Sequence, residues 1–149
     1  MKIRLALIED SEHIWKWRND PNTRAMSMNS DKVSWKDHST WYSNAISSEL
    51  KVIFVGIDEL TEDSVGMVRF DIEDNQLKAK CSINLNPKWR GKRISVTLLK
   101  TSHEYFRRQH KMPIIATIKK ANKASIKCFE GCGYRFRSKD NNCMYYEFY

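Results

Sequence analysis

The residues best suited to hold an anion lie in one run, Pro87-Lys88-Trp89-Arg90-Gly91-Lys92-Arg93-Ile94-Ser95. The run follows an alternating apolar and polar segment and leads into an amphipathic one, so its place predicts a basic turn between a strand and a helix start. The first N–H groups of a helix have no intrahelical partner, and the helix dipole adds positive potential there, so a phosphate meets donors already aimed at it. Arg90, Lys92 and Arg93 bring formal charge to the same spot, and Gly91 permits close approach or an unusual φ. The plainer alternative is a solvated corner. Just upstream, Leu77, Ala79, Cys81, Ile83 and Leu85 alternate with Lys78, Lys80, Ser82, Asn84 and Asn86. This is the pattern of a strand with one apolar and one polar face. The polar face offers Ser82 as a hydroxyl and has no carboxylate to serve as a base.

Elements that position these residues follow from periodicity. Ile3 to Ile8 reads as a first strand, followed by a short helix through Trp17 that stops before a turn at Asp20-Pro21-Asn22. Ser34 opens a second helix, with His38, Trp41, Tyr42, Ala45 and Ile46 on one face. On that apolar face His38 and the aromatic residues suit packing as well as they suit a ligand. Trp15 and Trp17 cannot both point inward from one short helix. Val52 to Ile57 and Val65 to Ile72 are β-branched and aromatic strands. After the basic turn come a helix from about Ile94 to Gln109, a strand from Ile114 to Ile118, and a helix from Asn122 to Glu130. A hairpin over Tyr134–Arg137 and Met144–Phe148 closes the chain.

Composition sets limits. At 149 residues the chain fits one domain over 1–149, and 26 Lys and Arg against 18 Asp and Glu leave +8, which favours a polyanionic partner. The N-terminal apolar run, Leu5 to Ile8, is too short for a signal peptide, and no stretch approaches a membrane span. Cys81, Cys128, Cys132 and Cys143 have neither a CxxC pair nor a histidine at ligand spacing. No metal site is expected, and reduced thiols in a cytoplasmic protein are.

Two stretches together resemble the GNAT superfamily of acyl-CoA-dependent N-acyltransferases. Ser82 to Ser95, with Leu98-Leu99, is similar to the family's fourth strand and pyrophosphate loop. Asn122 to Tyr134 is similar to its late Asn, Ser/Ala, Tyr, Gly-Phe pattern. The resemblance covers nearly the whole chain. It implies an α/β fold with a mixed, mostly antiparallel sheet of six to seven strands and about four helices. It also implies acetyl-CoA as co-substrate, its pantetheine pairing with the strand edge around Ile83 and Leu85 and its pyrophosphate on the N–H groups of Gly91 to Ser95. Arg90, Lys92, Arg93, Ile94, Asn122, Ser125 and Phe129 complete the implied cofactor site. Two positions depart from the pattern. Arg93 and Ser95 stand where glycine or alanine is usual, so the Arg93 side chain either swings outward and adds charge or weakens the grip. Phe129 stands where many relatives have a tyrosine that protonates the leaving thiolate, which leaves water or Ser125 as the acid.

A narrower resemblance, carried by Trp17-Arg18-Asn19, Arg24, Met26, His38 and Trp41, is to the GNAT enzymes that acetylate nucleotide-linked amino sugars, including those of the pseudaminic-acid pathway. It implies that Arg18 and Arg24 grip a diphosphate, that His38 meets a phosphate or hydroxyl, and that Trp41 stacks on a base or sugar, with Asn19 in the same acceptor site. The expectation is therefore an acetyl-CoA-dependent N-acetyltransferase acting on such a sugar, with a homodimer compatible with the resemblance and no membrane partner. Protein N-terminal or ribosomal-protein acetylation, an idle acyl-CoA-binding module and, resting on charge alone, nucleic-acid binding are the alternatives.

Overall fold

The computed structural model describes residues 1–149. Seven strands form one sheet: β1 Lys2–Leu5, β2 Lys51–Ile57, β3 Ser64–Ile72, β4 Ala79–Leu85, β5 Ile114–Lys119, β6 Arg135–Lys139 and β7 Cys143–Phe148. Five helices accompany them: α1 Ser11–Asn19, α2 Pro21–Met26, α3 Trp35–Ser47, α4 Ser95–Gln109 and α5 Lys123–Gly131. The sheet order is β1-β2-β3-β4-β5-β7-β6, antiparallel at every junction except β4–β5.

Alternation along the strands assigns the two faces of the sheet. Phe54, Val68, Phe70 and Cys81 face α4 and α5, where Leu98, Leu99, Phe106 and Phe129 complete the larger core. Phe70 and Phe106 stack at 4.2 Å there. On the other face Ile53, Val55 and Met67 meet Ile14 and Trp17 of α1 and Tyr42 and Ala45 of α3. Burying a large apolar side chain is worth about 1.5–3 kcal/mol, so both helical layers are anchored through the strands that carry the site.

Two local departures from the sequence reading have clear causes. The first strand ends at Leu5 because Asp10 accepts the Leu7 N–H at 2.8 Å and pairs with Arg4, curling the chain into a 3-10 turn at Ile8–Asp10. Asp20-Pro21-Asn22 is more than a turn. Asp20 caps α2 by accepting from the Thr23 N–H, and Pro21 occupies the first helical position, where its missing N–H costs nothing. This short helix is the fifth, one more than periodicity predicts.

Candidate active site

The β4–β5 junction is paired only at Ala79↔Ile114 and Lys80↔Ile115. Beyond Lys80 the strands splay, so the backbone from Cys81 to Leu85 has a ladder partner in β3 and none in β5. A cleft of about 810 Å³ opens at the splay. One wall includes Ile83, Leu85, Gly91, Ser95, Ser125 and Phe129, and the other includes Arg18, Thr23, Met26, Trp41 and Arg69.

At the basic turn, α4 starts with no side-chain cap and its first helical bond runs from the Leu98 N–H to the Ile94 carbonyl. The N–H groups ahead of it have no helical partner. Gly91 has φ +74°, where an added Cβ would touch nothing within 4 Å, so its value is conformational. Arg93 has φ +58°, in the left-handed region that favours glycine, and it is exposed along the cleft wall. Left-handed backbone costs a non-glycine residue roughly 1–2 kcal/mol.

Several expected site residues are occupied elsewhere. Arg90 reaches the wall, but its guanidinium donates to Asp20 Oδ2 at 2.6 Å and Thr23 Oγ1 at 2.8 Å, tying the basic turn to α2. Burial works against ionisation of Asp20, but the hydrogen bonds from Arg90 and the Thr23 N–H hold its pKa below the ordinary value. Lys92 lies over the Trp89 ring at 4.6 Å, and Ile94 is the N-cap residue of α4; neither lines the cleft. Asn122 lines it while its side chain caps α5 through the Ser125 N–H at 3.2 Å. Phe129 is buried and meets Tyr134 edge to face at 4.8 Å. Ser82 and Ser125 both border the cleft.

On the acceptor side His38 and Asn19 are corrected. His38 is fully buried, hydrogen-bonded through Nε2 to the Ser11 carbonyl at 2.9 Å and stacked on Tyr42, so it braces α1 against α3. Its pKa is lowered, first by burial. Asn19 is spent on the Val33 backbone, accepting from its N–H and donating to its carbonyl. Trp15 binds the same carbonyl at 2.8 Å, whereas Trp17 enters the core. Arg24 is absent from the cleft wall.

Arg18 and Trp41 do meet in the cleft, and Arg69, which sequence reading passed over, joins them. Both guanidiniums lie over the Trp41 ring, at 5.5 Å for Arg18 and 5.0 Å for Arg69. Arg69 is bonded to Asp71, which also holds Lys51, so this carboxylate is not free to act as a base. Arg18 forms no ion pair within the chain, and burial, followed by repulsion from Arg69, lowers its pKa. An arginine in the middle of the apolar run Val65 to Ile72 was the available sequence signal for this site. The polar face of β4 is also explained: Ser82 sits opposite Arg69 and Asn84 opposite Met67, so this face floors the cleft. No group of three or more His, Cys, Asp or Glu side chains is placed to hold a metal, and no helix is long and apolar enough to cross a membrane.

Residues 1–135 match a family model described as an acetyltransferase (GNAT) domain. No curated protein matches the chain. Among solved structures, a spermidine N-acetyltransferase from Vibrio cholerae in complex with CoA and spermine superposes with a TM-score of 0.87 at 18% identity, covering 99% of this chain and 94% of that one. A domain from Methanocaldococcus jannaschii DSM 2661 gives 0.82 at 24% identity, with 99% and 96% covered. A GNAT-family acetyltransferase from Bacillus anthracis gives 0.83 at 18%, with 98% and 92% covered.

Proposed function

The chain belongs to the GNAT acetyltransferase family, and we propose that its acceptor is a phosphate-bearing amine, a nucleotide-linked amino sugar. Its activity is that of an acetyl-CoA-dependent N-acetyltransferase. The observation that carries the acceptor reading is the charge of the cleft wall, where Arg18, Arg69, Arg90 and Arg93 face a single carboxylate, Asp31. Arg69 and Arg90 are neutralised by Asp71 and Asp20, but Arg18 is half-buried and unpaired beside Trp41. A diphosphate supplies the missing anion, and a base or sugar ring fits the aromatic face. Spermidine, the substrate named for the Vibrio cholerae structures, is a polycation and would meet repulsion here.

In this reading acetyl-CoA lies along the unpaired edge of β4 at Ile83 and Leu85, with its pyrophosphate on the N–H groups of Gly91 to Ser95. Charge-assisted hydrogen bonds of this kind contribute roughly 1.5–3 kcal/mol each. A backbone N–H of β4 polarises the thioester carbonyl as the neutral amine attacks. Nitrogen–carbon bond formation gives a tetrahedral intermediate; its collapse breaks the carbon–sulfur bond, and the amine's proton leaves to solvent. Ser82 and Ser125, both bordering the cleft, relay protons in this reading, since Phe129 has none to give. With no free carboxylate on β4, the cleft suits an amine already partly neutral at pH 7, unlike a lysine side chain with its reference pKa of about 10.4.

Thiol release from acetyl-CoA, measured against nucleotide-linked amino sugars, free amino sugars, peptides and spermidine, tests this. The nucleotide-linked sugars should show the highest kcat/KM. Faster turnover of spermidine or of a peptide would overturn the acceptor assignment, and acetyl-CoA binding without release to any acceptor would point to an idle module.

A further inference from the structure

A second cavity, of about 510 Å³, shares no lining residue with the cleft. One wall runs along α4 and just past it, with Lys100, His103, Glu104, Arg107, Arg108 and Lys111 repeating at helical spacing. Cys132 and Phe148 form the facing wall. Four cations against Glu104 leave the cavity strongly positive, and none of the four is in an ion pair within the chain.

A solvated helix face and a helix dipole explain part of this. Arg107 and Arg108 in the last turn of α4 complement its negative end. Lys100, in the N-terminal half, gains nothing from that dipole. A solvated face also does not explain two buried polar atoms without partners. His103 is 5% exposed and its Nδ1 has no hydrogen-bond partner; Nη1 of Arg107 is likewise buried and unpartnered. A buried donor without a partner is unfavourable, so the Arg107 guanidinium, and His103 Nδ1 where it carries the ring proton, call for an acceptor that the chain does not supply.

We propose that this cavity binds a small phosphorylated anion carrying a pyrophosphate group, at a site separate from the acetyl-transfer cleft. The His103 ring is oriented for the task. Nε2 is engaged by the Tyr134 hydroxyl, and Phe70, Tyr134 and Phe148 surround the ring at 5.3, 5.1 and 4.8 Å. Burial and then Arg107 hold its pKa down at about 4, so at neutral pH it carries one proton. The site requires the tautomer in which the Tyr134 O–H donates to Nε2, which puts that proton on Nδ1. The Arg107 guanidinium rests on the Phe148 ring at 5.2 Å. Turned towards a bound phosphate, it presents its fork to the anion beside His103, while Lys100 and Lys111 flank the outer oxygens. Phosphate is favoured over a single carboxylate by the number of cations and by the match of the guanidinium fork to phosphate oxygens.

The protein carrying one equivalent of CoA, enough for the cleft and not for a second site, is titrated at constant ionic strength with inorganic pyrophosphate and, separately, with a nucleoside diphosphate. The His103 imidazole resonances report binding. A saturable shift is expected with both probes; tighter binding of the nucleotide extends the site to a base against Phe148, and equal affinity confines it to the pyrophosphate. The exposed pair Lys100→Gln and Lys111→Gln should raise the half-saturation concentration about tenfold or more, with the melting temperature and the acetyl-transfer rate retained, and Arg107→Gln should raise it further. An unsaturable drift in the unsubstituted protein, or the same half-saturation in the double variant, would overturn the proposal.

Discussion

Arg18 is half-buried, unpaired and within 5.5 Å of the Trp41 ring centre, which makes it the residue whose loss an anionic acceptor should feel most. Removing one charge-assisted contact of roughly 1.5–3 kcal/mol predicts that Arg18→Ala raises the acceptor KM about 10- to 100-fold, with little change in the KM for acetyl-CoA. An equal rise in both would move Arg18 out of the acceptor site. Phe129 lines the same cleft, on the wall proposed for the cofactor, so Phe129→Tyr should leave kcat unchanged or increase it by adding a proton donor. A large drop in kcat with an unchanged melting temperature would instead give the phenyl ring a packing role at the thioester. Arg93 holds a left-handed backbone at φ +58°. Arg93→Gly should relieve up to about 1 kcal/mol of strain in urea melts while raising the KM for acetyl-CoA, because it removes a cation from the pyrophosphate loop.

Between elements, the Arg90–Asp20–Thr23 contact joins the turn before α4 to α2, residues 70 and 67 positions apart. One side of the contact belongs to the proposed cofactor site and the other to the proposed acceptor site. Asp20 also caps α2, so Asp20→Ala removes a cap and an ion pair together and should cost about 1–2 kcal/mol in chemical denaturation. The kinetic expectation is a split. Arg90, released, becomes available to the pyrophosphate and lowers the KM for acetyl-CoA, whereas a loosened α2 raises the KM for the acceptor. If both constants move in the same direction, the contact does not separate the two sites. The Asp20 pKa is lowered in the folded protein, so its stabilisation is present above the unfolded carboxylate pKa and is lost as pH falls through the folded value.

For the molecule as a whole, the buried histidines determine the acid side of stability. His103 is held at about 4 by burial, and His38 is lowered for the same first reason. Between the unfolded histidine pKa of about 6.5 and the folded value, the unfolded chain binds protons that the folded chain does not. Stability should therefore fall as pH drops from about 6.5 towards 4, by on the order of 3 kcal/mol from His103. Urea melts across that window should show the slope, and His103→Gln should flatten most of it. A flat profile in the unsubstituted protein would mean that these rings are protonated in the folded state.

Much of this organisation is legible in the sequence because it is written in local periodicity. The alternation from Ala79 to Leu85, the basic turn with Gly91 and the apolar stripe of the following helix specify a strand, a turn and a helix from local pattern alone. Even the packing alternative for His38 could be weighed, because its place on an apolar helical face is a matter of spacing. Long-range pairing was not legible. Nothing local says that Arg90 will find Asp20, that Asn19 will brace Val33, or that Arg18 and Arg69, on a helix and a strand 51 positions apart, will share one tryptophan. The sequence alone determined most of the strands and helices and the basic turn between β4 and α4, since those depend on each residue's neighbours along the chain. The tertiary structure alone decided which charges are spent inside the protein and which remain for a ligand, since that depends on distances set only when the sheet splays and the helices pack across it.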